Sequence, residues 1–527
     1  MTRAGLLVAL VAWLAVTPAS QTRPVPPPAR NVASGLRGEA GIVRAYDLIL
    51  DARFDALEAQ LPVACGPAPV EACHVLAATA LWWRIQLDPD SRALDEEFST
   101  AVERAIRTTD AWTVRAPDDA EAWFYLGGAH AARVQWLVLR EERLAAARDG
   151  KRIKDALERA LVLDPDLDDA YFGIGLYRYY ADVAPTVAKI LRFLLLLPGG
   201  SREEGLTQML RARTNGRLLK GEADYQLQMI YLWYEHETGR ALELLRELER
   251  EHPRNPIFPT QVAEIEDVYQ HDVMASLESW RRLLTLARSD RVSAAPLAEV
   301  RARLGLARQF EAVALTDEAI DHLERIVAQA PAAPHGSLAL AYLRLGQAHD
   351  RLNARADALA AYREAARLAP TAPVALATSS GERVNIRREA ADGLRRTPDA
   401  RRAEAFRLSL DGWRQLERED IPAAADTLAR ALALNPQDPI ARYRYGRVLQ
   451  ASRDDAGALV QFEHTLSHAR RAPAVIVGEA YLEAARIHER ASRRDQAVSA
   501  YRAASTWFGA STDTQRAAAR ALARLAQ

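Results

Sequence analysis

The chain has 527 residues, 49% hydrophobic and 26% charged, which supplies enough apolar side chain for a large core and excludes a disordered chain. The formal charge is −1 at pH 7 and the pI is near 6.9, so no global basic field exists to gather nucleic acid, and no nucleic-acid partner is expected. Lysine occurs four times; the far more numerous arginines are scattered and offset by acids, as on solvated helix faces.

Residues 1–20 read as a secretory signal. Arg3 precedes an apolar run over residues 5–16, and Thr17, Pro18 and Ala19 supply small residues suited to cleavage. The run is shorter than the roughly 20 apolar residues that cross a bilayer. Export with cleavage near Ser20 is expected, which places the mature protein in the periplasm or at the envelope; an uncleaved amino-terminal anchor is the alternative. Residues 21–40, with Pro24, Pro26, Pro27 and Pro28, read as an extended linker. Residues 41–116 are helical in pattern but irregular. The two cysteines, Cys65 and Cys73, flank a Gly-Pro-Ala-Pro turn. In an exported protein they are expected to form a disulfide; free thiols are an alternative, and a metal site with His74 lacks further ligands.

From Pro117 a two-helix pattern recurs. It is clearest over residues 339–372, where Tyr342, Leu345, Gly346 and His349 share one helical face, followed by Ala358, Tyr362 and Ala365 on another and a stop at Pro370. Trp123, Leu126, Gly127 and His130 repeat the first face, as do Tyr171, Ile174, Gly175 and Arg178. The second face returns as Ala241, Leu245 and Leu248, as Ala319, Leu323 and Ile326, as Ala424, Leu428 and Ala431, and as Ala497, Tyr501 and Ala504. A period of 34 residues with small residues and prolines in register resembles the tetratricopeptide repeat.

The resemblance implies an all-α, right-handed α-solenoid of ten to twelve antiparallel helix pairs. It divides the chain into an array over 117–290 with an inserted helix near 185–197, a second array over 291–370, an irregular break at 371–398, a third array over 399–510 and a capping helix at 511–527. The insertion carries the apolar run 185–197 directly after Leu176-Tyr177-Arg178-Tyr179-Tyr180, and the two together are a candidate docking platform or, alternatively, an addition to the core.

Phosphate-loop, zinc-protease and nucleophile-elbow motifs are missing from the sequence, so no catalytic, cofactor-binding or metal residues are assigned. His236, between Glu235 and Glu237, reads as a histidine at a helix end. Acid pairs such as Asp118 with Asp119 read as helix caps. In tetratricopeptide proteins the first helix of each pair lines the groove. The resemblance therefore nominates Phe124, Phe172, Tyr179, Tyr180, Trp233 and Tyr234 at one end, and Arg308, Arg351, Arg447, Arg486 and Arg490 at the other, as partner-binding residues. The expected function is a non-catalytic scaffold that binds a protein or peptide. A small-ligand or glycan receptor using the aromatic half is the alternative.

Overall fold

Small residues set against large ones build the repeat. A Cβ on Gly346 would lie 2.6 Å from the Tyr362 ring, so this first helix can approach its partner only because position 346 carries no side chain. Gly412 stands in the same relation to Leu428, Gly446 to Phe462 and Gly127 to Leu157. On the second helices, Ala358, Tyr362 and Ala365, then Ala424, Leu428 and Ala431, then Ala497, Tyr501 and Ala504 are all buried. Intervals of three and four put them on the stripe that faces the partner helix.

The computed structural model describes residues 35–183, 199–375 and 383–526. The signal segment, the linker up to residue 34 and the inserted helix at 185–197 lie outside the described residues. All the elements below belong to one unit, residues 36–527. Its described part contains 24 α-helices, forming eleven consecutive pairs, from Glu39–Leu50 with Phe54–Cys65 to Ala474–Arg490 with Arg494–Thr506, plus Ile386–Arg395 and Thr512–Leu525. Within the break at 371–398, Val374–Ala375 pairs antiparallel with Arg383–Val384, the one strand ladder among the described residues. Ile386–Arg395 follows it, and Gly393 approaches the same Tyr362 ring that Gly346 meets. Cys65, which ends its helix, is disulfide-bonded to Cys73 in the next, with Cα atoms 6.0 Å apart.

The turn inside each pair has a constant form. In nine pairs the residue two before the second helix has positive φ, among them Ala314, Asn353, Glu419, Arg453 and Ser492, at 57 to 63°. The next N–H reaches back to the first helix, five residues earlier in Ala354 to His349 O (2.9 Å) and Asp454 to Leu449 O (2.8 Å). This satisfies carbonyls that the helix end would otherwise leave open. His236 (φ 56°) occupies this turn position.

The chain's own start covers the first helices of the fifth and sixth pairs, Lys220–Trp233 and Ile257–Val268. Trp83, 1% exposed, packs on Tyr225 (ring centroids 4.9 Å) and Phe258 (6.2 Å). Tyr46 Oη and Trp83 Nε1 donate to the Glu222 carboxylate at 3.0 and 3.3 Å, and Gln226 donates to its other oxygen. Burial pushes the Glu222 carboxyl pKa up, and these donors oppose the rise. Asn255 Nδ2 holds Leu50 O at 2.7 Å, and the Arg254 N–H holds Asp51 at 2.8 Å. Farther along, both oxygens of Asp88 accept from the His335 N–H at 3.0 Å, and Arg383 pairs with Asp90 at 2.7 Å. Asp272 accepts from the Thr512 N–H at 2.9 Å, joining the sixth pair to the terminal helix. Residues some 240 positions apart thus meet, as a stack that winds back past itself requires.

One half-buried histidine makes stability depend on pH. His322 stacks on Phe310 with ring centroids 5.6 Å apart, and its Nδ1 lies 3.4 Å from Arg303 Nη1. Burial, reinforced by Arg303 and Arg325 and opposed by Asp321, lowers its pKa from 6.5 to about 4. The unfolded chain therefore takes up this proton more readily than the folded one. The contribution is complete above pH 6.5 and is lost as pH falls from 6.5 towards 4. Denaturation midpoints should fall across that window, and less steeply in His322→Gln. Equal slopes in the two proteins would remove His322 as a cause.

Candidate functional site

The first helices of the sixth, seventh and eighth pairs, Ile257–Val268, Ala295–Ala312 and Ser337–Arg351, line a cavity of about 420 Å³. Seven residues are almost two helical turns, so Arg301 and Arg308 share one face, and Arg344 and Arg351 share the corresponding face of the next first helix. Glu264 and Asp267 line the cavity from the preceding first helix. Asp88, Pro89 and Asp90, carried in by the amino-terminal segment, close it against His335.

Most of its charges are already paired. Arg308 Nη2 is 2.9 Å from Asp267, and Arg351 Nη1 is 2.6 Å from Glu311 Oε2. Burial raises the Asp88 carboxyl pKa against the pull of the His335 N–H, and it raises that of Glu311 against Arg351. Arg301 differs from its neighbours. Its guanidinium has no hydrogen bond or ion pair to any described residue; burial lowers its pKa, and Glu264, Asp88 and Asp90 act on it only through space. In the same wall Gln309, 1% exposed, leaves both amide atoms without a partner, and Ser337, 3% exposed, does the same with Oγ.

The residues nominated from sequence separate into three groups. Phe124, Phe172 and Tyr179 are buried and pack the stack, so a partner cannot reach them. The Tyr179 hydroxyl donates to Glu235 at 2.5 Å, and Glu235 also receives Arg202 Nε at 2.7 Å. Trp233 and Tyr234 are 40% and 41% exposed, with the Tyr234 ring 5.5 Å from that of Tyr180. Arg308 and Arg351 stand in the cavity wall, whereas Arg447, Arg486 and Arg490 do not. Arg447 donates to the Tyr443 hydroxyl at 3.1 Å, Arg486 pairs with Glu483 at 2.6 Å and Arg490 with Asp455 at 2.7 Å. Three of the six nominated aromatic residues are therefore out of a partner's reach. Sequence reading passed over Arg301, Gln309 and Ser337, although the repeated seven-residue arginine spacing on two successive first helices was visible.

Among the described residues no group of three or more His, Cys, Asp or Glu side chains is arranged to hold a metal ion, and no described helix is long and apolar enough to cross a membrane. The paired helices, the glycine slot that recurs in them and the constant turn define a tetratricopeptide-like, all-α solenoid. No family model matches the sequence, and no curated protein is significantly similar to it. Among solved structures the chain is similar to human IFIT1 in its dimer with m7Gppp-AAAA (14% identity, 82% of this chain and 94% of that one, TM-score 0.30). It is also similar to yeast Tom70 (12%, 84% and 96%, TM-score 0.25) and to a tetratricopeptide repeat protein from Parabacteroides merdae (12%, 58% and 99%, TM-score 0.25). At these identities and scores no role is carried over.

Proposed function

We propose that the protein is a non-catalytic scaffold that binds a protein or peptide outside the cytoplasm. The observation that carries this reading is the adjacent, exposed pair Trp233 and Tyr234 at the end of a first helix, backed by Tyr180. Rigid aromatic side chains held this way are the usual anchors of protein interfaces. Export is supported by the apolar run at residues 5–16 and by the Cys65–Cys73 bond, since disulfides persist in oxidising compartments.

The test is capture from an envelope extract by the mature chain and by Trp233→Ala/Tyr234→Ala. The double variant should retain thermal unfolding and lose a specific captured protein by about tenfold or more. Undiminished capture would reject these anchors. Intact mass of the chain recovered from the extracytoplasmic fraction should begin near Ser20, and full-length chain in the cytosol would reject export.

A second reading, a receptor for a small ligand, is favoured by the cavity between the first helices. That cavity is not in the aromatic half of the first-helix face, and Trp280 is the aromatic residue in its wall.

A further inference from the structure

We infer that the cavity between the sixth to eighth first helices and the Asp88–Asp90 turn is a binding site for a small-molecule carboxylate, with Arg301 as its primary contact. This goes beyond the scaffold reading and does not depend on Trp233 or Tyr234.

Three observations converge. The first is size: about 420 Å³ lies within the range of small-molecule sites, roughly 300–1,000 Å³, and is too small for a folded segment of a partner. The second is the unpaired cation. Arg301 is partly buried in the wall and makes no hydrogen bond or ion pair to a described residue, and arginine's planar fork matches a carboxylate through two parallel bonds.

The third is how the other charges are already used. Asp267 is paired with Arg308, Glu311 with Arg351 and Asp90 with Arg383, while both oxygens of Asp88 accept the His335 N–H. Arg308 and Arg351 are thus committed to acids of the wall, whereas Arg301 has no hydrogen bond or ion pair to any described residue. Gln309 and Ser337 supply polar atoms without a partner among the described residues in the same wall, and a buried polar atom left without a hydrogen bond is destabilising. A carboxylate with a second polar group meets Arg301 and leaves that group for Gln309 or Ser337. The wall also bears acids, so the site suits a compact mono- or dicarboxylate better than a polyphosphate, which would bring more negative charge than one free guanidinium offsets.

The site exists only in the assembled chain, because Asp88 and Asp90 come from the second pair and the arginines from the seventh and eighth. The test therefore uses the full chain. Succinate, malate and inorganic phosphate are titrated separately by calorimetry into wild type, Arg301→Gln, Arg301→Lys and Arg402→Gln, the last a surface control. Saturable binding of succinate or malate is expected, weakened by about tenfold or more in Arg301→Gln and unchanged in the control. Should Arg301→Gln fail to fold, Arg301→Lys decides: it keeps the charge and loses the fork, and it should also weaken binding. Failure of both carboxylates to bind, binding of phosphate alone, or equal binding by wild type and a folded Arg301 variant would overturn the proposal.

Discussion

Replacing Trp83 with alanine should cost about 3–5 kcal/mol and release the amino-terminal helices from the fifth and sixth pairs. The indole is 1% exposed, packs on both Tyr225 and Phe258 and donates to Glu222. Truncation removes a large buried surface and leaves a carboxylate in a dry setting with one donor fewer. Neither loss can be repaired by water without opening the contact. Chemical denaturation should show the loss, and hydrogen exchange should speed up in Glu39–Leu50, Val70–Leu87 and Lys220–Trp233 while the last three pairs stay protected. A change below about 1 kcal/mol, or faster exchange spread evenly along the chain, would mean that Trp83 does not hold this docking.

Gly205→Val should be the other severe substitution, destabilising by about 3 kcal/mol. Gly175 and Gly205 face each other where the fourth pair crosses. A Cβ on Gly205 would lie 2.7 Å from Gly175 O and from Tyr179 N, and one on Gly175 would lie 2.7 Å from Gly205 O. These are backbone atoms. Unlike a side chain such as Tyr362, they cannot rotate away, so the two helices must separate and expose Met209 and Tyr179. Gly239→Ala is the control: no atom lies within 4 Å of its Cβ position, and alanine favours a helix. Denaturant midpoints should fall sharply for Gly205→Val and hold or rise for Gly239→Ala; equal midpoints would refute the close crossing.

The repeat itself was legible because it is local. Gly346 with Tyr362, or Gly446 with Phe462, lie within one 34-residue period, and their small and large side chains mark the stripe directly. Tyr179 was misplaced for a related reason. Taking Arg178 as the last residue of the stripe turned Tyr179 outward, whereas Tyr179 follows Gly175 by four and is the residue that shares its buried face. The docking of residues 39–90 was not legible. Trp83 meets Phe258 and Asp88 meets His335 only because the stack's winding returns one pair to another, and that winding is a sum of small rotations that no short window records. The same limit hid the cavity: the seven-residue spacing of Arg301 and Arg308 can be read off the chain, but the Asp88–Asp90 turn that closes over them comes from some 200 residues earlier.

The amino-terminal helices cover the first helices of the fifth and sixth pairs, and the Asp88–Asp90 turn that they carry forms part of the wall around Arg301. A double-mutant cycle between Trp83→Ala and Phe258→Ala tests this arrangement most directly, because the two positions are 175 residues apart and can couple only through this docking. The expected result is a coupling free energy of about 1 kcal/mol or more, the range of residues in contact. Costs that add to within about 0.3–0.5 kcal/mol would contradict the docking, and with it this part of the cavity wall.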